Sequence, residues 1–148
     1  MFDNLFSPLT IRGKTMKNRC VVPAMLTYFC DTEGNATEKY IAYHEEKAKG
    51  GFGMIITEDY AVDAKGISFA TVPGLWKDSQ MDSHRKLAER VHKYGSLILV
   101  QLFHSGMQGD EAVLHQPPKA PSPIMSPFGD AMPEPFTTEE IKELVVKF

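Results

Sequence analysis

Three unbroken apolar runs punctuate the chain: Cys20-Val21-Val22, Met54-Ile55-Ile56 and Leu97-Ile98-Leu99-Val100. Runs with β-branched residues and no polar alternation suit strands covered on both faces, the usual state of a parallel sheet. Between the runs the pattern turns helical. Thr37 to Lys49 places Ile41, His44 and Ala48 on one face behind a candidate N-cap at Thr37, and Gly50-Gly51 stop it. A second helix is predicted from about Ser79 to Tyr94, with Leu87, Ala88 and Val91 inward and Gly95 as its stop. A third opens on Thr137-Thr138-Glu139-Glu140, a capping-box spacing, and continues as a stripe of Ile141, Leu144, Val145 and Phe148. The order β-α-β-α-β-loop-α predicts an α/β protein with right-handed crossovers.

Two segments break this rhythm. Residues 8–18 read as a small hairpin with Gly13 near its turn. Residues 105–136 hold seven of the ten prolines and, through Ile124, Met125 and Phe128, read as a long loop capping a site. No internal repeat is visible. The chain ends at Phe148, inside its most periodic helix. A complete eight-fold barrel needs about 250 residues. The expectation is therefore one partial domain over residues 1–148, the front portion of a (β/α)8 TIM barrel with about three βα units.

Composition narrows the partners. With 43% hydrophobic and 24% charged residues and a net charge of −3 over 148 residues, the chain can bury a core. Its mild acidity argues against a dedicated nucleic-acid binder. No apolar stretch reaches the roughly 18 residues of a membrane span, and the N-terminus has no basic and apolar leader. Two cysteines make no disulfide framework, so a reducing cytoplasm is expected. Cys20 falls in a buried strand, whereas Cys30 falls in a loop that leaves its exposure open, with nothing nearby to lower its pKa. His44, His84 and His92 lie in predicted helices with no second ligand four residues on, and no metal site is expected.

In parallel α/β proteins functional groups gather at the C-terminal ends of strands. Here those ends read Pro23-Ala24-Met25-Leu26-Thr27-Tyr28, Thr57-Glu58-Asp59-Tyr60 and Gln101-Leu102-Phe103-His104. The Gln101 amide can donate and accept together, which suits a heterocycle with alternating carbonyls and nitrogens, or it can satisfy backbone groups. His104 can donate to an anion or pack against the long loop. Neither G-x-G-x-x-G after a strand nor G-x-x-x-x-G-K-[ST] occurs, which removes a Rossmann site and a P-loop. Gly50-Gly51-Phe52-Gly53 follows a helix and precedes a strand, and is read as a tight turn. Trp76, Phe103, Phe128 and Phe136 are read as packing residues.

The segments LFSPLTIRGKTMKNRCVVPAM, KAKGGFGMIITEDYAV, SLILVQLFHSG and FTTEEIKELVVKF follow one another in an order that resembles the N-terminal part of the old yellow enzyme family, the NADH:flavin oxidoreductases. The resemblance spans essentially the whole chain. Its most specific pieces are Lys17-Asn18-Arg19, Gly50-Gly51-Phe52-Gly53 and Gln101-Leu102-x-His104-x-Gly106. It implies a (β/α)8 barrel holding FMN at the C-terminal face. By position, Pro23, Ala24, Met25 and Leu26 would line the flavin, Asp59 would offer its backbone, and Gln101 would meet the pyrimidine part. Tyr28 would lie toward the substrate.

The implied reaction passes hydride from NAD(P)H through flavin to an activated C=C bond of a small-molecule alkene. Leu26 stands where many relatives carry a Thr or Cys that touches the flavin C4 oxygen, so the flavin potential is expected to differ. Tyr60 is bulky where relatives often have a small residue, and a narrowed entrance is expected. The family's substrate-anchoring His/Asn pair, proton-donating Tyr and phosphate-binding strands fall beyond Phe148, so no catalytic residue is assigned. The alternative reading is a catalytically incomplete half-barrel that acts by self-association or with a complementary chain. A phosphate-binding, aldolase-like barrel is weaker, because no predicted strand carries a reactive lysine.

Overall fold

The computed structural model describes residues 2–148. Its centre is a parallel sheet of β3 (Val21–Val22), β4 (Met54–Ala61) and β5 (Leu97–Phe103), in that spatial order. The three apolar runs thus lie side by side and point the same way, with Val21 opposite Met54 and Met54 opposite Leu97. Helices α2 (Glu38–Lys49) and α3 (Met81–His92) connect them and cover one face. The core is built where they meet: Val22, Ile55 and Tyr60 from the sheet, Tyr40, Ile41 and Ala48 from α2, and Leu87 and Val91 from α3. Such burial of branched and aromatic side chains contributes about 1.5–3 kcal/mol each before entropy is subtracted.

Local chemistry sets the helix ends. Thr37 caps α2, its Oγ1 accepting the Tyr40 N–H at 3.2 Å. Helix α3 starts later than its periodicity predicts, at Met81 rather than about Ser79. A 3-10 turn at Asp78–Gln80 precedes α3, because buried Gln80 accepts from the Trp76 and Lys77 amides and donates to the Glu33 carbonyl at 2.8 Å. Cys30, whose exposure the sequence leaves open, is buried in the core beside Val22 and Tyr40, and burial pushes its thiol pKa up. Cys20 is only half-buried.

Ahead of the sheet, a short helix α1 (Asp3–Phe6) precedes an antiparallel hairpin of β1 (Leu9–Ile11) and β2 (Lys14–Met16). Its two turn residues, Arg12 (φ 48°) and Gly13 (φ 79°), are both left-handed, as a two-residue hairpin turn requires. Residues 105–136 are not one uninterrupted loop. They carry a 3-10 turn at Gly106–Gln108, a one-turn helix α4 (Glu111–Leu114), and a parallel bridge between β6 (Lys119–Ala120) and β7 (Glu134–Pro135). Buried backbone groups need partners, and prolines keep each element short.

Helix α5 (Thr138–Lys147) has the expected capping box, with Thr137 N–H donating to Glu140 at 2.8 Å and Glu140 N–H to Thr137 Oγ1 at 3.2 Å. Its apolar stripe stays exposed, and only Leu144 is half-covered. Exposure continues along β5, where Leu99, Val100 and Leu102 remain open. The three parallel strands do not close a barrel. Among the described residues, no helix is long and apolar enough to cross a membrane.

Candidate active site at the strand tips

The strand faces can be told apart by their packing. Ile55, Tyr60 and Ile98 contact the helix layer, so the alternate positions of β5, Leu97, Leu99, Gln101 and Phe103, face the other way. On β4 the alternation is broken. Ile56 opposes Leu99 and Asp59 opposes Gln101, so Thr57 and Glu58 together face the single residue Val100. This is a β-bulge, and it shifts every later residue of β4 by one step. Thr57 and Glu58 are both buried, Tyr60 returns to the helix layer, and Asp59 is turned onto the face that carries Gln101.

Two side chains predicted from sequence are thereby brought together. Gln101 Nε2 donates to Asp59 Oδ1 at 2.5 Å, while the Gln101 backbone N–H reaches Thr57 Oγ1 at 3.3 Å. Partial burial raises the Asp59 pKa, and the Gln101 hydrogen bond works against that rise. Asp59 also lines a cleft of about 420 Å³ with Phe69, Phe103, Asp110 and Phe128.

The segment after β3 forms the neighbouring rim. Pro23 and Met25 are exposed, Ala24 and Leu26 half-buried. Among the described residues, no protein group accepts a hydrogen bond from the amides of Ala24, Met25 and Leu26. Glu58 anchors the end of this segment: its buried carboxylate accepts Thr27 N–H and Thr27 Oγ1–H, each at 2.6 Å. Burial raises the Glu58 pKa, opposed by those hydrogen bonds from Thr27. Tyr28 follows in the left-handed region (φ 58°), half-exposed, its ring edge-on to Phe69 at 5.1 Å between centroids. A bulky residue held there is strained, and such outliers collect where a site fixes the backbone.

Two residues do not join this group. Tyr60 does not narrow an entrance, because the bulge turns it away. It is 1% exposed, and its hydroxyl bonds His84 Nδ1 at 3.0 Å while His84 Nε2 donates to the Gly34 carbonyl at 3.1 Å. His104 lies three positions past Gln101 and so falls on the opposite face. Its Nδ1 accepts the Gly106 N–H at 3.0 Å, and its ring packs against Gly66 and Phe136. Burial lowers its pKa. Sequence reasoning placed Thr27, Thr57 and Glu58 at the strand ends but gave them no role. The available signal was a pair of adjacent polar residues, Thr57-Glu58, directly after an apolar run, which a regular strand cannot bury on one face.

The donor set suits the edge of a planar heterocycle. Gln101 keeps one N–H and its carbonyl oxygen free, and the amides of residues 24–26 add donors on the adjacent strand tip. Among the described residues, no group of three or more His, Cys, Asp or Glu side chains could hold a metal ion.

Comparison with known proteins places the chain among flavin-dependent relatives by family and by fold. The family model described as "NADH:flavin oxidoreductase / NADH oxidase family" matches residues 4–148. An NADH oxidase of Thermoanaerobacter brockii is 36% identical over 99% of this chain and 23% of its own length. An NADPH dehydrogenase of Geobacillus sp. (strain WCH70) is 38% identical over 97% of this chain and 42% of its own. Among solved structures, a 2-naphthoyl-CoA reductase matches with a TM-score of 0.93 and 28% identity, over 99% of this chain and 24% of that one. The old yellow enzyme homologue of Zymomonas mobilis matches with a TM-score of 0.86 and 27% identity, over 97% of this chain and 42% of that one. The chain therefore spans between about a quarter and two fifths of the proteins it matches.

Proposed function

The chain belongs to the NADH:flavin oxidoreductase / NADH oxidase family, and from that membership we propose that it forms the N-terminal part of an FMN-dependent NAD(P)H oxidoreductase of ene-reductase type. One observation carries the reading: the bulge in β4 sets Asp59 and Gln101 together on the inner face, next to a rim of unbonded amides at Ala24, Met25 and Leu26. When bound, FMN supplies hydride transfer from NAD(P)H to an activated alkene. This chain's residues do the holding. Gln101 offers its free N–H and carbonyl to the pyrimidine edge, the Pro23–Leu26 rim lies against the ring, and Glu58 keeps that rim in place through Thr27. Tyr28 and Phe69 wall the side from which a small apolar substrate approaches. The Leu26 side chain brings no hydrogen bond to the ring.

Titrating the 148-residue chain with FMN, followed by quenching of flavin fluorescence, tests the reading. We expect saturable binding that Gln101→Ala weakens about tenfold or more, the loss of two hydrogen bonds at roughly 1 kcal/mol each. Binding indifferent to Gln101→Ala rejects the site, and absence of binding favours the second reading below.

A second reading follows from the exposed Leu99, Val100 and Leu102 of β5 and the open stripe of α5. An unpaired apolar strand edge favours association, so the chain would act with a second copy or with a complementary chain. A monomer by light scattering at micromolar concentration removes the self-association form of this reading.

A further inference from the structure

The flavin reading uses Gln101 but not the carboxylate beside it. The bulge at Thr57-Glu58 turns Asp59 inward, and the Asp59 side chain then takes one of the two N–H groups of Gln101 at 2.5 Å. The amide is left with a fixed sense: one N–H and one carbonyl oxygen face a ligand, and a flip would set that carbonyl oxygen against the carboxylate. The cleft that Asp59 lines adds Asp110 and Asp130 and contains no lysine or arginine, so no cation there offsets the negative charge. A flavin gains negative charge at its pyrimidine end on reduction, and charges near that end tune its potential.

We propose that Asp59 is a positioning and potential-setting residue, which orients the Gln101 amide through its hydrogen bond and whose carboxylate disfavours reduction of a flavin held against Gln101. The proposal rests on the FMN reading above and adds to it the side chain that sets how readily the cofactor accepts electrons. Glu58 does not share this part, because it is buried and its carboxylate is committed to Thr27.

Two variants separate charge from orientation. Asp59→Asn keeps an acceptor oxygen for the Gln101 N–H and removes the charge, while Asp59→Ala removes both. The measurements are the FMN dissociation constant and the midpoint potential of the FMN-loaded chain, read against a redox dye. For Asp59→Asn we expect affinity within about twofold of the parent and a reduced-to-oxidised ratio about tenfold higher at the same poise, an upward shift of about 30 mV for a two-electron couple. For Asp59→Ala the potential rises similarly, and affinity falls about fivefold as the amide loses its fixed sense. An unchanged potential in Asp59→Asn, with Gln101→Ala still weakening FMN, overturns the potential-setting role and leaves the flavin site standing. Unchanged affinity in Asp59→Ala overturns the orienting role. A parent chain whose FMN binding ignores Gln101→Ala removes the site itself and this inference with it.

Discussion

The two ends of the three-stranded sheet are built to different rules. At the N-terminal ends the strands are pinned. Asn18 reaches across, donating to the Gly51 carbonyl at 2.8 Å while its Oδ1 accepts the Cys20 N–H at 3.1 Å. Gly53 N–H meets the Cys20 carbonyl at 3.0 Å, Leu97 N–H meets the Gly53 carbonyl at 2.9 Å, and Lys17 Nζ closes on the Tyr94 carbonyl at 2.6 Å. At the C-terminal ends the opposite holds: a bulge, a left-handed Tyr28, a buried carboxylate at Glu58 and a rim of amides with no acceptor among the described residues. Two of the three most distinctive motifs of the sequence, Lys17-Asn18-Arg19 and Gly50-Gly51-Phe52-Gly53, lie at the pinned end, and the third, Gln101-Leu102-x-His104-x-Gly106, lies at the other. The motifs at the pinned end report how the fold is closed, while the proposed flavin site lies at the end that looks less regular, where parallel α/β proteins gather functional groups.

The largest effect should strike both ends together. His44 of α2 is 2% exposed, both ring nitrogens lack a partner, and burial pushes its pKa down to about 4. The folded state therefore prefers neutral His44. Its contribution is complete above the unfolded value near 6.5 and is lost as pH falls from there toward 4, flattening below. The full loss is about 3 kcal/mol. Urea midpoints across that range should fall in the parent and fall less in His44→Leu, which removes the titrating group and two unpaired nitrogens. Trp76 fluorescence, near the C-terminal end, and far-UV circular dichroism should move together. If they separate, the ends are independent units.

Next comes a change confined to the pinned end. A Cβ on Gly53 would collide with the Asn18 carbonyl oxygen and sit 2.8 Å from its Oδ1. Because the nearest obstacle is backbone, Gly53→Ala should cost about 2–3 kcal/mol in urea unfolding. FMN affinity of the folded fraction should not change. A loss of affinity matching the loss of stability would show that the two ends are mechanically linked.

Much of this architecture is legible in the sequence because burial writes a period. The apolar runs gave parallel strands, and the stripes through Ile41 and Leu87 gave the two covering helices. Gln101 was legible as a polar group closing an apolar run. What escaped was strand parity. A bulge adds one residue without altering composition, so the adjacent polar pair Thr57-Glu58 hints at broken alternation without declaring that Asp59 turns in and Tyr60 turns out. The same parity sends His104 away from Gln101. Cys30 escaped for another reason: its loop is buried by α2, a tertiary contact that local pattern does not record.

The smallest effect sharpens the comparison from the open end. Leu26 is half-buried on the rim, beside amides that no protein group accepts. Leu26→Thr removes little packed area, so its stability should stay within about 1 kcal/mol of the parent, unlike any comparable change at Gly53. It adds a hydroxyl at a position that, in the FMN reading, faces the ring. A donor there stabilises negative charge on a ring carbonyl, and one such hydrogen bond is worth about 1 kcal/mol. FMN affinity or its midpoint potential should therefore rise by the equivalent of about fivefold, measured by fluorescence titration and dye equilibration. If Leu26→Thr instead costs stability and leaves both readings flat, the rim is structural like the opposite end, and the contrast between the ends fails.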